Sequence, residues 1–138
     1  MNVMSKIENS CIIDDDPISV YGIKRTMKKV NFSKTVVVYN NGQDAINGVK
    51  AMVAAGEIIP SVIFLDLNMP VMDGWEFLED FMKIPNANTD NVTIFIISSS
   101  VNPEDIIRAR SYKFVNNYIV KPVESNDLIQ LLADYKSS

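Results

Sequence analysis

Val62-Ile63-Phe64-Leu65-Asp66-Leu67-Asn68-Met69-Pro70, followed by Val71-Met72-Asp73-Gly74, is the stretch on which the fold turns. Four apolar residues in succession, without the alternation of a half-exposed strand, suit a strand buried on both faces. Such strands belong to parallel sheets covered by helices on either side. The run ends at a carboxylate, Asp66, and Pro70 and Gly74 then break up the segment beyond it. In open α/β sheets ligands gather at the carboxyl ends of the strands, so Asp66 is placed where chemistry is expected.

On both sides of this stretch apolar β-rich runs alternate with helix-like segments, five times in all. Upstream, residues 7–13 read as a strand ending in Cys11-Ile12-Ile13. Residues 17–30 read as a helix, with Asp16 able to cap it and Pro17 suited to its first turn. Residues 35–39 are a β-branched strand, and 42–55 an amphipathic helix stopped by Gly56. Downstream, residues 73–83 predict a third helix with Trp75, Leu78 and Met82 on one face. Residues 92–97 predict a strand, 103 to about 113 a helix, and 118–120 the fifth strand. A last helix over 127–135 turns Leu128, Leu131 and Leu132 inward. Five βα units with right-handed crossovers predict an α/β fold: a five-stranded parallel sheet, doubly wound.

The chain has 138 residues, enough for one domain with a real core, expected over about 7–135. Because only three residues follow Tyr135, no separate output domain is expected. Apolar residues at 47% and charged residues at 22% are ordinary for a globular protein, and no repeat is present. The net charge is −4, and only Lys24, Arg25, Lys28 and Lys29 form a basic group. They read as a solvated helix face rather than a nucleic-acid surface, so no nucleic-acid partner is expected. Cys11, the single cysteine, lies in an apolar run and reads as a small buried hydrophobe, compatible with a reducing compartment. No apolar run reaches the roughly 20 residues of a membrane helix. Glu8 and Asn9 interrupt any signal-peptide core, so a cytoplasmic location is expected, with no membrane partner.

Four strand ends carry complementary groups. The first ends in Asp14-Asp15-Asp16, the third in Asp66, the fourth in Ser98-Ser99-Ser100 and the fifth in Lys121-Pro122. Singly, each is a helix cap, a turn former or a surface charge. Together they form a set. Crowded carboxylates repel unless a cation sits among them, and oxygen ligands with room for water suit Mg²⁺. An aspartate carboxylate can act as a nucleophile and form an acyl phosphate. The arriving phosphoryl charge needs a metal and a lysine to offset it, and a hydroxyl for a remaining oxygen.

These residues resemble the response-regulator receiver domains, a CheY-like, flavodoxin-like family, from about Ser10 to Tyr135. Ile12-Ile13-Asp14-Asp15-Asp16-Pro17 resembles the family's acidic pair, and the stretch from Val62 to Gly74 its phosphorylation loop. Ile96-Ile97-Ser98-Ser99 resembles its fourth-strand hydroxyl, and Tyr118-Ile119-Val120-Lys121-Pro122 its fifth-strand lysine and proline. The resemblance implies a stand-alone two-component signalling protein, not an enzyme beyond catalysing its own phosphorylation and dephosphorylation. It implies that Asp66 takes a phosphoryl group in a Mg²⁺-dependent reaction. Asp15 would then bind Mg²⁺ directly, Asp14 mainly through water, and Asn68 through its backbone carbonyl, with Asp66 completing the metal site. Lys121 would bridge to the phosphoryl group and Ser98 would hydrogen-bond to it, with Tyr118 the aromatic that rotates in response. Pro122 would follow a cis bond, and Asn68 and Ser100 would tune dephosphorylation.

Two points stay open. Three acidic residues stand where the family has two, and Pro17 places the pair at Asp14 and Asp15. The interval from Ser98 to Lys121 is one residue longer than in the family, so Ser99 is the alternative switch hydroxyl unless an extra residue sits near 112–114. Gly74 reads as the close approach of the third helix to the loop, and Trp75 as core. The chain contains no His, so it cannot be its own phosphohistidine donor; the resemblance implies a separate histidine kinase or histidine phosphotransfer protein as donor and a downstream protein as target. Two rivals remain. A haloacid-dehalogenase-type phosphatase would use Asp14 and Asp16, but needs a second acidic pair where only isolated Glu124, Asp127 and Asp134 come after Lys121. A phosphorylation-independent interaction module would commonly lack one of the site residues.

Overall fold

The computed structural model describes residues 7–85, 91–99 and 102–136. Ser100 lies outside them. The elements alternate strictly: β1 Ile7–Ile13, α1 Pro17–Lys29, β2 Ser33–Tyr39, α2 Gly42–Ala54, β3 Val62–Asp66, α3 Gly74–Met82, β4 Thr93–Ser98, α4 Pro103–Ala109, β5 Val115–Val120 and α5 Ser125–Lys136. All strand pairs are parallel, in the order β2-β1-β3-β4-β5. The doubly wound five-stranded sheet expected from the sequence is the fold observed. From β1 the chain winds outward to β2, then crosses back to β3 and continues the other way. The switch point of the sheet therefore lies between β1 and β3.

Alternate strand residues enter two separate cores. Ile13, Leu65 and Ile96 meet Ile46 and Val49 of α2, Phe77, Leu78 and Phe81 of α3, and Ala109 of α4. Ile12, Phe64, Phe95 and Ile97 face the other way, onto Val20, Ile23 and Met27 of α1 and Leu128 and Leu131 of α5. Phe64 is sandwiched between Phe32 and Phe95, with ring centroids 5.6 and 5.7 Å away. Truncating such a buried ring to alanine costs about 3–5 kcal/mol. Helix starts obey local side-chain chemistry. Asp16 accepts from Ile18 N at 3.0 Å, Asn41 from Asp44 N at 2.8 Å, and Asp73 with Glu76 forms a reciprocal capping box.

Three expectations need correction. On α3 the buried stripe is Phe77, Leu78 and Phe81, whereas Met82 is 52% exposed and Trp75 half-buried. Two helical stripes compete there, and the one carrying two phenylalanines buries more apolar area. The fourth helix stops at Ala109 instead of continuing toward 113, and β5 starts at Val115, three residues before expected. An extra residue does interrupt the pairing of β4 with β5, at Asn116 and not near 112–114. Ile94 pairs with Val115 but Phe95 with Asn117, so Asn116 bulges from the ladder. Asn116 and Asn117 are poor strand formers, yet an edge strand tolerates exposed polar residues. Among the described residues, no helix is long and apolar enough to cross a membrane.

Candidate functional site

Strand register brings the site together. Ile13 pairs with Leu65, so Asp14 and Asp66 come next, side by side at the switch point. Asp66 pairs with Ile97, and Ser98 with Val120, so Ser98 and Lys121 continue the same rim. The Lys121 amide donates to the Ser98 carbonyl at 2.8 Å, and the Lys121–Pro122 bond is cis.

Asp14 is fully buried, and Asp66 and Ser98 nearly so. Lys121 Nζ stands 2.9 Å from Asp14 Oδ2 and 3.6 Å from Asp66 Oδ2. Apart from that ion pair, Asp14 Oδ2 is buried without a hydrogen-bond partner. Asp14 Oδ1 accepts from the Asp16 amide at 2.9 Å, and Asp66 Oδ1 more loosely from the Asn68 amide at 3.4 Å. Burial, and then the charge of Asp14, push the Asp66 carboxyl from 3.8 to about 6, against the opposing pull of Lys121 and the Asn68 amide. Burial alone would lower Lys121, but the paired Asp14 and the nearby Asp66 lift its ammonium above the ordinary range.

Oxygens of Asp14, Asp15 and Asp66 lie within 4.8 Å of one another. Asp15 is the exposed member. Three carboxylates facing one ammonium leave negative charge over, which a cation among them would offset. A hard divalent cation with oxygen ligands fits that donor set. The third acidic residue is occupied elsewhere, because the Asp16 side chain caps α1.

The loop after Asp66 is clamped from two sides. Gly74 donates its amide to the Leu67 carbonyl at 2.9 Å, and a Cβ there would lie 2.7 Å from the Asp66 carbonyl oxygen. Sequence reasoning singled out that glycine but missed Gly42. A Cβ on Gly42 would meet the Met72 carbonyl at 2.8 Å, so the start of α2 packs directly on the loop. The available signal was a glycine at the first helical position after the Asn41 cap. Ser99 is exposed while Ser98 is buried. Tyr118 is half-buried on the face of β5 turned toward α2, α3 and α4.

A family model described as "Response regulator receiver domain" matches residues 11–133. The crystal structure of a two-component response regulator from Cytophaga hutchinsonii superposes with a TM-score of 0.88 at 28% identity, covering 96% of this chain and 99% of that one. Chemotaxis protein CheY of Listeria monocytogenes is 28% identical over 88% of this chain and 92% of its own length. The nitrate/nitrite response regulator protein NarL of Escherichia coli is also 28% identical, but this chain spans only 51% of it. With its sheet order, its rim of carboxylates and a family match across nearly its whole length, the chain belongs to the response regulator receiver domains.

Proposed function

We propose that residues 7–135 form one receiver unit that accepts a phosphoryl group on Asp66 and signals through protein partners. Receiver domains are signalling proteins phosphorylated by histidine kinases, and they bind Mg²⁺ at an acidic pocket. The observation that carries the reading is the Asp66 carboxylate at the switch point, beside a second carboxylate and under the Lys121 ammonium. An Asp66 oxygen attacks the phosphorus of a phosphohistidine on a kinase or phosphotransfer protein. The new O–P bond forms as the N–P bond breaks, and the imidazole leaves with the N–P electron pair and takes a proton.

Asp14, Asp15, Asp66 and the Asn68 carbonyl would hold Mg²⁺, which supplies charge to offset the phosphoryl oxygens. Lys121 moves from its carboxylate partners to a phosphoryl oxygen, and Ser98 donates its hydroxyl to another. Tyr118 then moves inward with Ser98, biasing the surface of α4, β5 and α5 between two states. Water later attacks the acyl phosphate and returns Asp66 to the free acid. Asp16 serves as the α1 cap, which favours this reading over a phosphatase built on Asp14 and Asp16.

The test is intact mass after incubation with acetyl phosphate, with and without Mg²⁺. The expected result is a single phosphoryl adduct that needs Mg²⁺ and vanishes in Asp66→Asn. An adduct that survives Asp66→Asn but is lost in Asp14→Asn would move the nucleophile to the first strand. No adduct from acetyl phosphate or from a phosphorylated phosphotransfer protein would leave an interaction module.

A further inference from the structure

We infer that the groove between α1 and the outer edge of β2 is a docking site for an acidic amphipathic helix of a protein partner. The basic group on α1 is otherwise unexplained. Lys24, Arg25, Lys28 and Lys29 sit on a helix with no acidic residue, in a chain whose net charge is −4. Among the described residues, none of the four is ion-paired. Three of them, Lys24, Arg25 and Lys28, rim a groove of about 780 Å³ that no carboxylate lines.

Below that rim the surface is mainly apolar. The buried Val20 and Met27 back the groove, Val36 and the 67% exposed Tyr21 supply its accessible apolar surface, and Asn31, Ser33 and Asn40 line it as well. A basic rim over an apolar floor is the complement of a helix with glutamates on one side and leucines on the other. The rest of the chain is net acidic and repels such a partner, so attraction is focused on this groove.

The site is distinct from the phosphoryl rim. The other flank of α1, carrying Ile18, Gly22 and Thr26, is the one that adjoins Lys121 and Pro122, and of the groove's basic residues only Arg25 borders both. A phosphodonor at the rim and a helix in the groove can therefore occupy the two flanks of α1 at once. Such a contact would hold the receiver on a partner whatever its phosphorylation state.

The experiment is a ¹⁵N NMR titration of the full chain with a short amphipathic peptide bearing glutamates along one face and leucines along the other. The same peptide with lysines for glutamates and a single-stranded oligonucleotide serve as competing probes. Shifts should cluster at Tyr21, Met27 and Val36, and weaken with salt. Lys24→Glu with Lys28→Glu should weaken binding about tenfold, whereas Lys50→Glu with Lys113→Glu should not. Asp66→Asn should bind as the parent does, which separates this inference from the phosphoryl-acceptor reading. No shift, shifts on another face, unchanged affinity of the α1 double variant, or preference for the lysine peptide or the oligonucleotide would each overturn it.

Discussion

Asp66 holds its charge at a cost, because it is buried beside Asp14 and shares one ammonium with it. Its folded carboxyl titrates at about 6 against an ordinary 3.8. Between those values the folded chain binds more protons than the unfolded one, so stability falls as pH rises through the window and stays lower above it. In buffer free of divalent cations, Asp66→Asn should therefore raise stability at pH 7 by on the order of 1–2 kcal/mol. The advantage should shrink toward pH 4, as urea titrations at both pH values would show; an advantage independent of pH would sink the explanation. Val71 poses a backbone problem of its own. Its φ is +70°, and the Met72 amide bonds the Pro70 carbonyl at 2.8 Å across it, a γ-turn in the hand that strains a β-branched residue. Its side chain is 82% exposed and adds little packing. Val71→Gly should gain about 1 kcal/mol by removing the Cβ conflict, less the entropy glycine adds to the unfolded chain. A loss of stability would show that the valine side chain matters more than its conformation.

Among the helices, α4 buries the least of its own surface. It has seven residues, and only Ala109 is buried. Its other ties run to α3: the Arg108 guanidinium lies 4.3 Å over the Trp75 ring, and Tyr112, just past α4, stacks on the same indole at 6.4 Å. Tyr112 Oη also donates to Glu79 at 3.4 Å. Arg108→Ala should lower the free energy of local opening by about 0.5–1 kcal/mol. Amide exchange over α4 should quicken while β3 and β4 stay protected; a uniform change across the chain would refute a local tie. The start of α3 is less forgiving. A methyl at Gly74 would press on backbone, the Asp66 carbonyl at 2.7 Å and the Leu67 Cα at 2.8 Å, and neither can swing aside as a side chain would. Gly74→Ala should cost about 1–3 kcal/mol and, on the proposed function, slow phosphorylation by about ten- to a hundredfold, because Asp66 is displaced. A normal rate from acetyl phosphate would mean that the loop absorbs the methyl.

Across the protein as one body, the excess of carboxylates over ammonium groups at the rim predicts that a divalent cation stabilises the fold. Mg²⁺ at a hundredfold excess over its Kd should add about 2–3 kcal/mol, read as a rise in Tm that Asp14→Asn removes. An equal rise in that variant would place the ion elsewhere. What the sequence makes legible depends on where each residue's environment comes from. Residues Val62–Asp66 declare a buried parallel strand because burial on both faces leaves a continuous apolar run. The rim is legible because β1, β3, β4 and β5 each end in a polar residue or just before one, and parallel register sets those ends abreast. The Asn116 bulge, the choice of stripe on α3 and the contact of Gly42 with Met72 are not legible, since each is decided by a neighbour distant in the chain. Trp75 is the single tryptophan, placed one residue after the glycine that touches Asp66 and beneath a cation carried by α4. The protein thus contains its own optical gauge: its entire indole emission comes from the joint between the loop after Asp66 and α4, so a shift in either is visible in unlabelled protein.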